Sequence, residues 1–359
     1  MIGRVAYRAL WIILIGFFWL GLVAAFLYAP YVTRLLHVGQ RSISIFVWSD
    51  IIDSHIISEF EQQAGIKVFV NYYESNDELL TKLRFAHGTG YDLFIPSHYM
   101  VKTLARDGLI KKIDKEKLEF WHEIDPRFLA LAHDERNVYT IPYIWEVYGI
   151  GFDKRFFADK KFEPSWRMLF EPPVPYRVGM TNEPREVIDI ASLYLYGSMK
   201  WLNNKKHIEI SRLLMRQKQY VEAYTDLATD YLLTSGVCQV VLASGSVVYR
   251  ARKQADWVSF VLPREGTVMS LENIVIAAKS TKDDLVYTFI NFLFKGDAIK
   301  KTCDRYGYLP VLTRELEALQ IDHLDKKFLL GSYFKTIQLI APLMPRHELF
   351  DFWISLKAY

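Results

Sequence analysis

Only two cysteines, Cys238 and Cys303, occur in the 359 residues. Their separation fits no metal-ligand spacing, so a cysteine-built metal centre is excluded. They read as two free buried thiols, with pairing in an oxidising compartment as the alternative. Neither sign of charge dominates, since 44 Lys+Arg face 41 Asp+Glu, and the balance carries no nucleic-acid footprint. The chain has no phosphate loop, zinc motif or dinucleotide fingerprint, and no internal repeat or low-complexity stretch. Ser97 has no His-Asp partner pattern that would make it a nucleophile, and no clustered tyrosine pair with a histidine suggests ferric iron. No cofactor, metal ligand or catalytic residue is therefore expected, and the chain is not expected to be an enzyme.

What the sequence does have begins with one long apolar run. Arg4 and Arg8 precede an uncharged stretch from Ala9 to Thr33. It exceeds the roughly 7–15 residues of a signal-peptide core and is long enough to span a bilayer. It reads as an uncleaved anchor with Arg4 and Arg8 inside; Val23-Ala24-Ala25 is the alternative, a small-residue cleavage site. No cysteine follows the run, so a lipid anchor is unsupported. Either way the remainder is expected to be exported into the periplasm, and the uncleaved anchor would tether it to the inner membrane. Aromatic residues, at 15%, are numerous enough to fill a core and still line a cleft.

The segment Ser42–Asp50 sets the organisation. Ile43, Ile45 and Val47 alternate with Ser44 and Phe46, which predicts a strand. It runs directly into Trp48, Ser49 and Asp50, and a helix follows with Asp53 or Ser54 as N-cap. Lys67–Tyr72 reads as a second strand, and Ser75 with Glu78 forms a capping box ahead of another helix. Tyr91–Ile95 reads as a third strand, stopped by Pro96 and followed by Ser97, His98 and Tyr99. This alternation predicts a parallel sheet covered by helices, with ligand-facing residues beyond the strand ends. His98 is expected to be a polar residue at the rim. Tyr139–Phe152 reads as extended chain crossing between two bodies. Further strands are expected at Gln239–Leu242, Trp257–Leu262 and Asn273–Ala278, with helices opening near Pro184 and spanning Asp284–Phe294.

The order of motifs resembles the bacterial periplasmic spermidine/putrescine-binding proteins, the substrate-binding components of ABC importers. The likeness rests on Val47-Trp48-Ser49-Asp50, Tyr73-Glu74-Ser75-Asn76, Tyr91 to Ser97, and Ile141-Pro142-Tyr143-Ile144-Trp145. It continues through Arg185-Glu186-Val187, Pro263-Arg264-Glu265-Gly266, Ile290-Asn291-Phe292-Leu293 and Tyr306-Gly307-Tyr308. It implies an α/β, two-lobed periplasmic-binding-protein fold of type II-like form, each lobe an αβα sandwich and the lobes joined by crossing strands. On that basis residues 1–40 are the anchor or signal segment. The first lobe is 41–146 plus about 269–308, and the second is 147–268 plus about 309–359. A monomer is implied, with a polyamine and ABC permease subunits as partners and no nucleic acid.

The resemblance also implies a binding set. Each ammonium of a polyamine needs carboxylate or oxygen acceptors once its water is removed, and the methylenes between want aromatic faces. Asp50 corresponds to a family acid, with Trp48 and Ser49 beside it, and Ser97 and Tyr99 match contacts on the same lobe. Glu183 aligns with a carboxylate of the other lobe, with Arg185 and Glu186 close enough to contest the place. Glu272 stands where the family has an ammonium-binding Asp, and Tyr308 aligns with a family tyrosine. Three aromatic positions differ, being Ala243, Ser270 and Ile51 here; Tyr249, Tyr148 and Trp145 are candidates to replace them. The alternative to a transport receptor is a membrane-tethered regulatory or interaction protein of the same fold, binding another cationic small molecule or no longer serving transport.

Overall fold

The structure, a computed structural model, describes residues 41–160, 163–225, 228–319 and 331–358, together with 11, 14–16 and 18–21. Most of the apolar run expected to anchor the chain lies outside the described residues. No helix among those described is long and apolar enough to cross a membrane.

Among the described residues twelve strands form the sheet: β1 Ser42–Trp48, β2 Lys67–Tyr73, β3 Leu93–Phe94, β4 Ile110–Lys111, β5 Ile141–Asp153, β6 Val178–Met180, β7 Val221–Tyr224, β8 Val240–Ser244, β9 Val258–Val261, β10 Thr267–Ala277, β11 Leu309–Pro310 and β12 Ile337–Leu339. The order runs β2-β1-β3-β10-β5-β8-β6-β7, with β4 and β12 also on β10, and β9 and β11 also on β5. At one end β1 lies parallel to β2 and β3; at the other β6 lies parallel to β7 and β8. Two long antiparallel strands, β5 and β10, join these halves. A short parallel sheet at either end, helices packed over it and crossing strands in the middle make the expected two-lobed α/β architecture.

Local chemistry explains the details. Asp53 caps the helix Ser54–Ala64, its carboxylate accepting from the His55 N–H. Ser75 Oγ accepts from the Glu78 N–H at 3.1 Å, while Glu78 Oε2 accepts from the N–H of Glu74 at 2.8 Å. The capping box therefore closes one residue further back than its usual form. β3 is shorter than the sequence predicts because a side chain takes over part of its ladder. The Asp92 N–H donates to Ser44 O at 2.7 Å, and the Ser44 N–H donates to Asp92 Oδ2 at 2.8 Å. β10 begins six residues before the predicted Asn273, because the register shifts between Glu272 and Asn273 and this bulge hides the period-two pattern. Cys238 and Cys303 are both free and buried.

Gly149 allows the close packing of β5 on β9: a Cβ there would lie 2.5 Å from the Phe260 ring and 2.7 Å from the Val261 carbonyl oxygen. Gly307, at φ +86°, ends the helix Ala298–Tyr306 and aims the next residue, Tyr308.

Candidate functional site

Between the halves lies a cavity of about 460 Å³, within the size range of small-ligand sites. Trp48, Ser49, Asp50, Ser97, Tyr99, Glu183, Glu272 and Tyr308 all line it. The fold thus brings every sequence-predicted site residue to one place. Trp48, Ser49 and Asp50 arrive from the carboxyl end of β1, and Ser97 and Tyr99 from the start of the helix His98–Arg106. Glu183 caps the helix Pro184–Tyr196, which has Pro184 in its first turn. Asp50 is exposed and sits at φ +62°, a left-handed conformation that Asp tolerates better than most residues.

Glu272 is the chemical centre. It is only 7% exposed, and it sits at the β10 bulge, which turns its carboxylate into the cavity. Ser97 Oγ donates to Oε1 and Oε2 at 2.9 and 3.0 Å, Ser270 Oγ donates to Oε1 at 2.6 Å, and Trp48 Nε1 donates to Oε2 at 3.1 Å. All three donors are neutral. Burial pushes the Glu272 carboxyl up to about 7; the hydroxyl and indole hydrogen bonds oppose the shift, and the charge of nearby Glu146 adds to it.

Two residues at the cavity, Glu146 and Asn76, were not among the predicted site residues. Glu146 on β5 is the register partner of Ser270 and accepts from Ser246 Oγ at 2.5 Å. Burial raises its carboxyl too, against the Ser246 and Ser244 hydroxyls and the Arg250 charge. Its sequence signal is an acid in the middle of a thirteen-residue strand whose other charged residue is the terminal Asp153. Asn76, almost fully buried, donates to Ser97 Oγ at 3.0 Å and to Tyr99 Oη at 2.7 Å, so it orients two lining residues at once. Across the gap, Tyr148 Oη donates to Glu186 Oε1 at 2.5 Å, and the Arg185 guanidinium stacks 4.6 Å from the centre of the Tyr99 ring. That stacking ties the helix Pro184–Tyr196 to the opposite wall.

The aromatic replacements resolve unevenly. Tyr148 faces the cavity. Trp145 does not: it is fully buried, donates through Nε1 to Pro310 O at 2.9 Å, and packs on Phe128 and Phe334. Tyr249 packs over Gly307 and donates to Asp304 O. The three positions that differ, Ile51, Ala243 and Ser270, all line the cavity.

His98 is not at the rim, as the sequence suggested, but 2% exposed. Its Nε2 donates to Ile340 O at 2.7 Å and its Nδ1 accepts from the Leu271 N–H at 3.3 Å, which fixes the tautomer. Burial drives its pKa down to about 3. It therefore pins the strands crossing behind the cavity as a neutral ring. His98→Ala strands a buried carbonyl and a buried N–H, and is expected to lower unfolding stability by about 3 kcal/mol in a urea titration. A loss under 1 kcal/mol would remove this role.

Among the described lining residues, Asp50, Glu74, Glu146, Glu183, Glu186, Asp230 and Glu272 face the single guanidinium of Arg250. Walls of low polarizability around so many carboxylates focus a negative potential that favours cations. Two α/β bodies joined by crossing strands, with an acid-lined cavity between them, define the class of two-lobed solute receptors. The chain belongs to the bacterial extracellular solute-binding protein family, whose profile matches residues 55–322. It is 29% identical over 270 residues to the spermidine/putrescine-binding periplasmic protein of Salmonella typhimurium, covering 74% of this chain and 76% of that one. It is 29% identical over 299 residues to a putrescine/cadaverine-binding protein of Pseudomonas aeruginosa, covering 78% and 84%. The solved structure of a putative spermidine/putrescine ABC transporter from Listeria monocytogenes superposes with a TM-score of 0.79 at 25% identity, covering 89% of this chain and 99% of that one.

Proposed function

We propose that this protein is a receptor that captures a polyamine of the spermidine or putrescine class between its lobes and delivers it to the permease of an ABC importer. One observation carries the reading: a buried carboxylate, Glu272, held by neutral donors only, in a cavity whose other charges are mostly negative. Such a group wants a cation, and a linear amine supplies one at each end. The names of the related receptors support the same ligand class. The role is binding rather than catalysis, since the Ser97 hydroxyl is already committed to Asn76 and Glu272.

In this reading Trp48 and Tyr308 flank the methylene chain, Ser49 and Asp50 close the rim, and Glu183 with Glu186 receives the far ammonium. The first lobe takes 41–146 with about 269–308, and the pairing of β11 with Trp145 and Ile144 and the bridge between Leu312 and Ile124 support adding 309–319, which the sequence reading gave to the second lobe. The remaining residues up to 268, and the C-terminal part, form the second. The apolar N-terminal run holds a monomeric receptor at the inner membrane. Phe18, Trp19 and Leu20 support this, helical and 64%, 59% and 71% exposed.

The test is a thermal-shift panel on the full-length chain with putrescine, cadaverine, spermidine, amino acids and sugars. Diamines and triamines should raise the melting temperature by mass action; a response confined to sugars would overturn the proposal. A second reading keeps the cation seat but changes the guest. Arg250 in the lining would suit an amine that also bears a carboxylate, which the amino-acid arm detects. Because Asp50 is exposed, Asp50→Asn should weaken putrescine binding only about fivefold, and less in high salt. An unchanged isotherm would take Asp50 out of the site.

A further inference from the structure

Glu146 is hard to explain as scaffolding. Glu146 is the one residue of β5 that keeps partial exposure, where it lines the cavity; a carboxylate in so apolar a strand costs stability unless something cationic meets it, and its donors are serine hydroxyls. Glu146 and Ser270 are register partners on antiparallel strands, and Glu272 stands two residues further along the same face as Ser270. Diagonal neighbours of this kind lie about 7–8 Å apart at their backbones, within reach of two long side chains and an ion between them. Ser270 Oγ sits at this junction, donating to Glu272.

We propose that Glu146 and Glu272, presented side by side by the two crossing strands, form one cation seat that holds a proton when the cleft is empty and exchanges it for a primary ammonium when the cleft fills. The inference rests on amine capture and adds a second acid and a proton to it. The exchange is balanced: a carboxylic acid and an alkylammonium give a carboxylate–ammonium pair and one proton released to solvent.

The surroundings favour this exchange. Arg250, from the helix Gly245–Gln254, is the cation that acts on Glu146, and its Nη1 already donates to Tyr306 O at 3.0 Å. Asp50 from the end of β1 acts on Tyr308, which also faces both acids. Tyr73 from β2 and Tyr99 face Glu272, and Tyr148 faces Glu146 with Glu186 behind it. Glu183 stands further out, beside Arg185 and Tyr99. Burial raises all four of these tyrosines, so they stay neutral and cannot supply the proton near neutrality. Glu272, pushed up to about 7, carries it, and a like charge beside it keeps it there.

The experiment has two arms on the full-length chain. In the first, spermidine is titrated calorimetrically at pH 6.5 in PIPES and in ACES, buffers of different ionisation enthalpy. The expected result is about one proton released per amine bound, falling towards zero above pH 8, with affinity dropping about tenfold per pH unit below 7. Glu146→Gln should bind about tenfold more weakly at pH 8 and shift the midpoint of its affinity–pH profile downward. In the second arm, without amine, the melting temperature of the native chain relative to Glu272→Gln, which cancels the histidine contribution common to both, should decline between pH 5 and 8, and that decline should be smaller when both chains also carry Glu146→Gln. Tight amine binding with no proton released, or a Glu146→Gln chain whose profiles match the native ones, overturns the seat and leaves amine capture standing. A pH-dependent melt of the expected form with no amine bound overturns capture and leaves the protonated pair standing. No pH-dependent difference between the native and Glu272→Gln melts, with no amine bound, overturns both.

Discussion

Replacing Glu272 by Gln should cost about a hundredfold in putrescine affinity at pH 8 while raising the melting temperature of the empty chain at the same pH. The loss follows from removing the charged acceptor of an ammonium, worth about 1.5–3 kcal/mol or more in a buried setting. The gain follows from the same burial. Gln has nearly the shape of Glu, its oxygen can still accept from Trp48 Nε1, and the hydroxyls of Ser97 and Ser270 can turn to accept from its amide. It never has to be buried as an anion. The Glu272 carboxyl is raised to about 7 in the folded chain, above its unfolded value. Its stabilising contribution is thus complete below the unfolded pKa and is lost as pH rises through about 7. The variant should match the native chain at pH 5 and exceed it at pH 8.

Two histidines work in the opposite direction. Burial lowers His98 to about 3 and His133 to about 4. Their contribution is complete above the ordinary histidine value and is lost as pH falls towards these folded values. The native chain should therefore be most stable between these two limits, and the Gln variant should lose only the alkaline decline. Melting curves from pH 4 to 9, with a putrescine titration at pH 8, read both effects. A variant that binds as before, or that is less stable than the native chain at pH 8, would show that Glu272 is an ordinary structural carboxylate.

The second large effect is on stability. Trp145→Ala should lower the unfolding free energy by about 3–5 kcal/mol, the range for deleting a large buried aromatic. Trp145 is fully buried where β5, β10 and β11 meet, with ring centres 5.1 Å from Phe128 and 5.8 Å from Phe334. Its indole also satisfies the carbonyl of Pro310, which would be left buried without a donor. Trp145→Phe keeps most of the packing and should cost less than half as much. As a control, Phe85→Ser, at a side chain 90% exposed, should stay within about 0.5 kcal/mol. Guanidinium unfolding measures all three. Equal costs for Trp145→Ala and Phe85→Ser would mean that the crossing strands do not hold the halves together.

The sequence carried much of this architecture because strand ends and helix caps are local signals. Ser42–Trp48, the Asp53 cap, Ser75 with Glu78, and Pro184 at its helix start each depend on residues within a few positions of one another. The eight lining positions were legible through family motifs. Composition alone points to none of them. Features that depend on distant segments stayed hidden. The early start of β10 is masked by polar Ser270 and Glu272 and by the bulge after them. The burial of His98 requires Leu271 and Ile340, 173 and 242 residues away. Whether Trp145 or Tyr148 faces the cavity depends on the phase of one strand, which its nearly unbroken burial conceals. Glu146 went unnoticed because its meaning depends on Ser246 and Ser270, brought to it by a distant helix and strand.

A crystal structure of the full-length chain grown with putrescine tests the central claim most directly. The account expects one amine nitrogen within hydrogen-bond distance of the Glu272 carboxylate, the methylenes lying against Trp48 and Tyr308, and the second nitrogen among Asp50, Glu183 and Glu186. Putrescine bound with its methylenes against Glu272, or electron density for the diamine only outside the cleft, would contradict it.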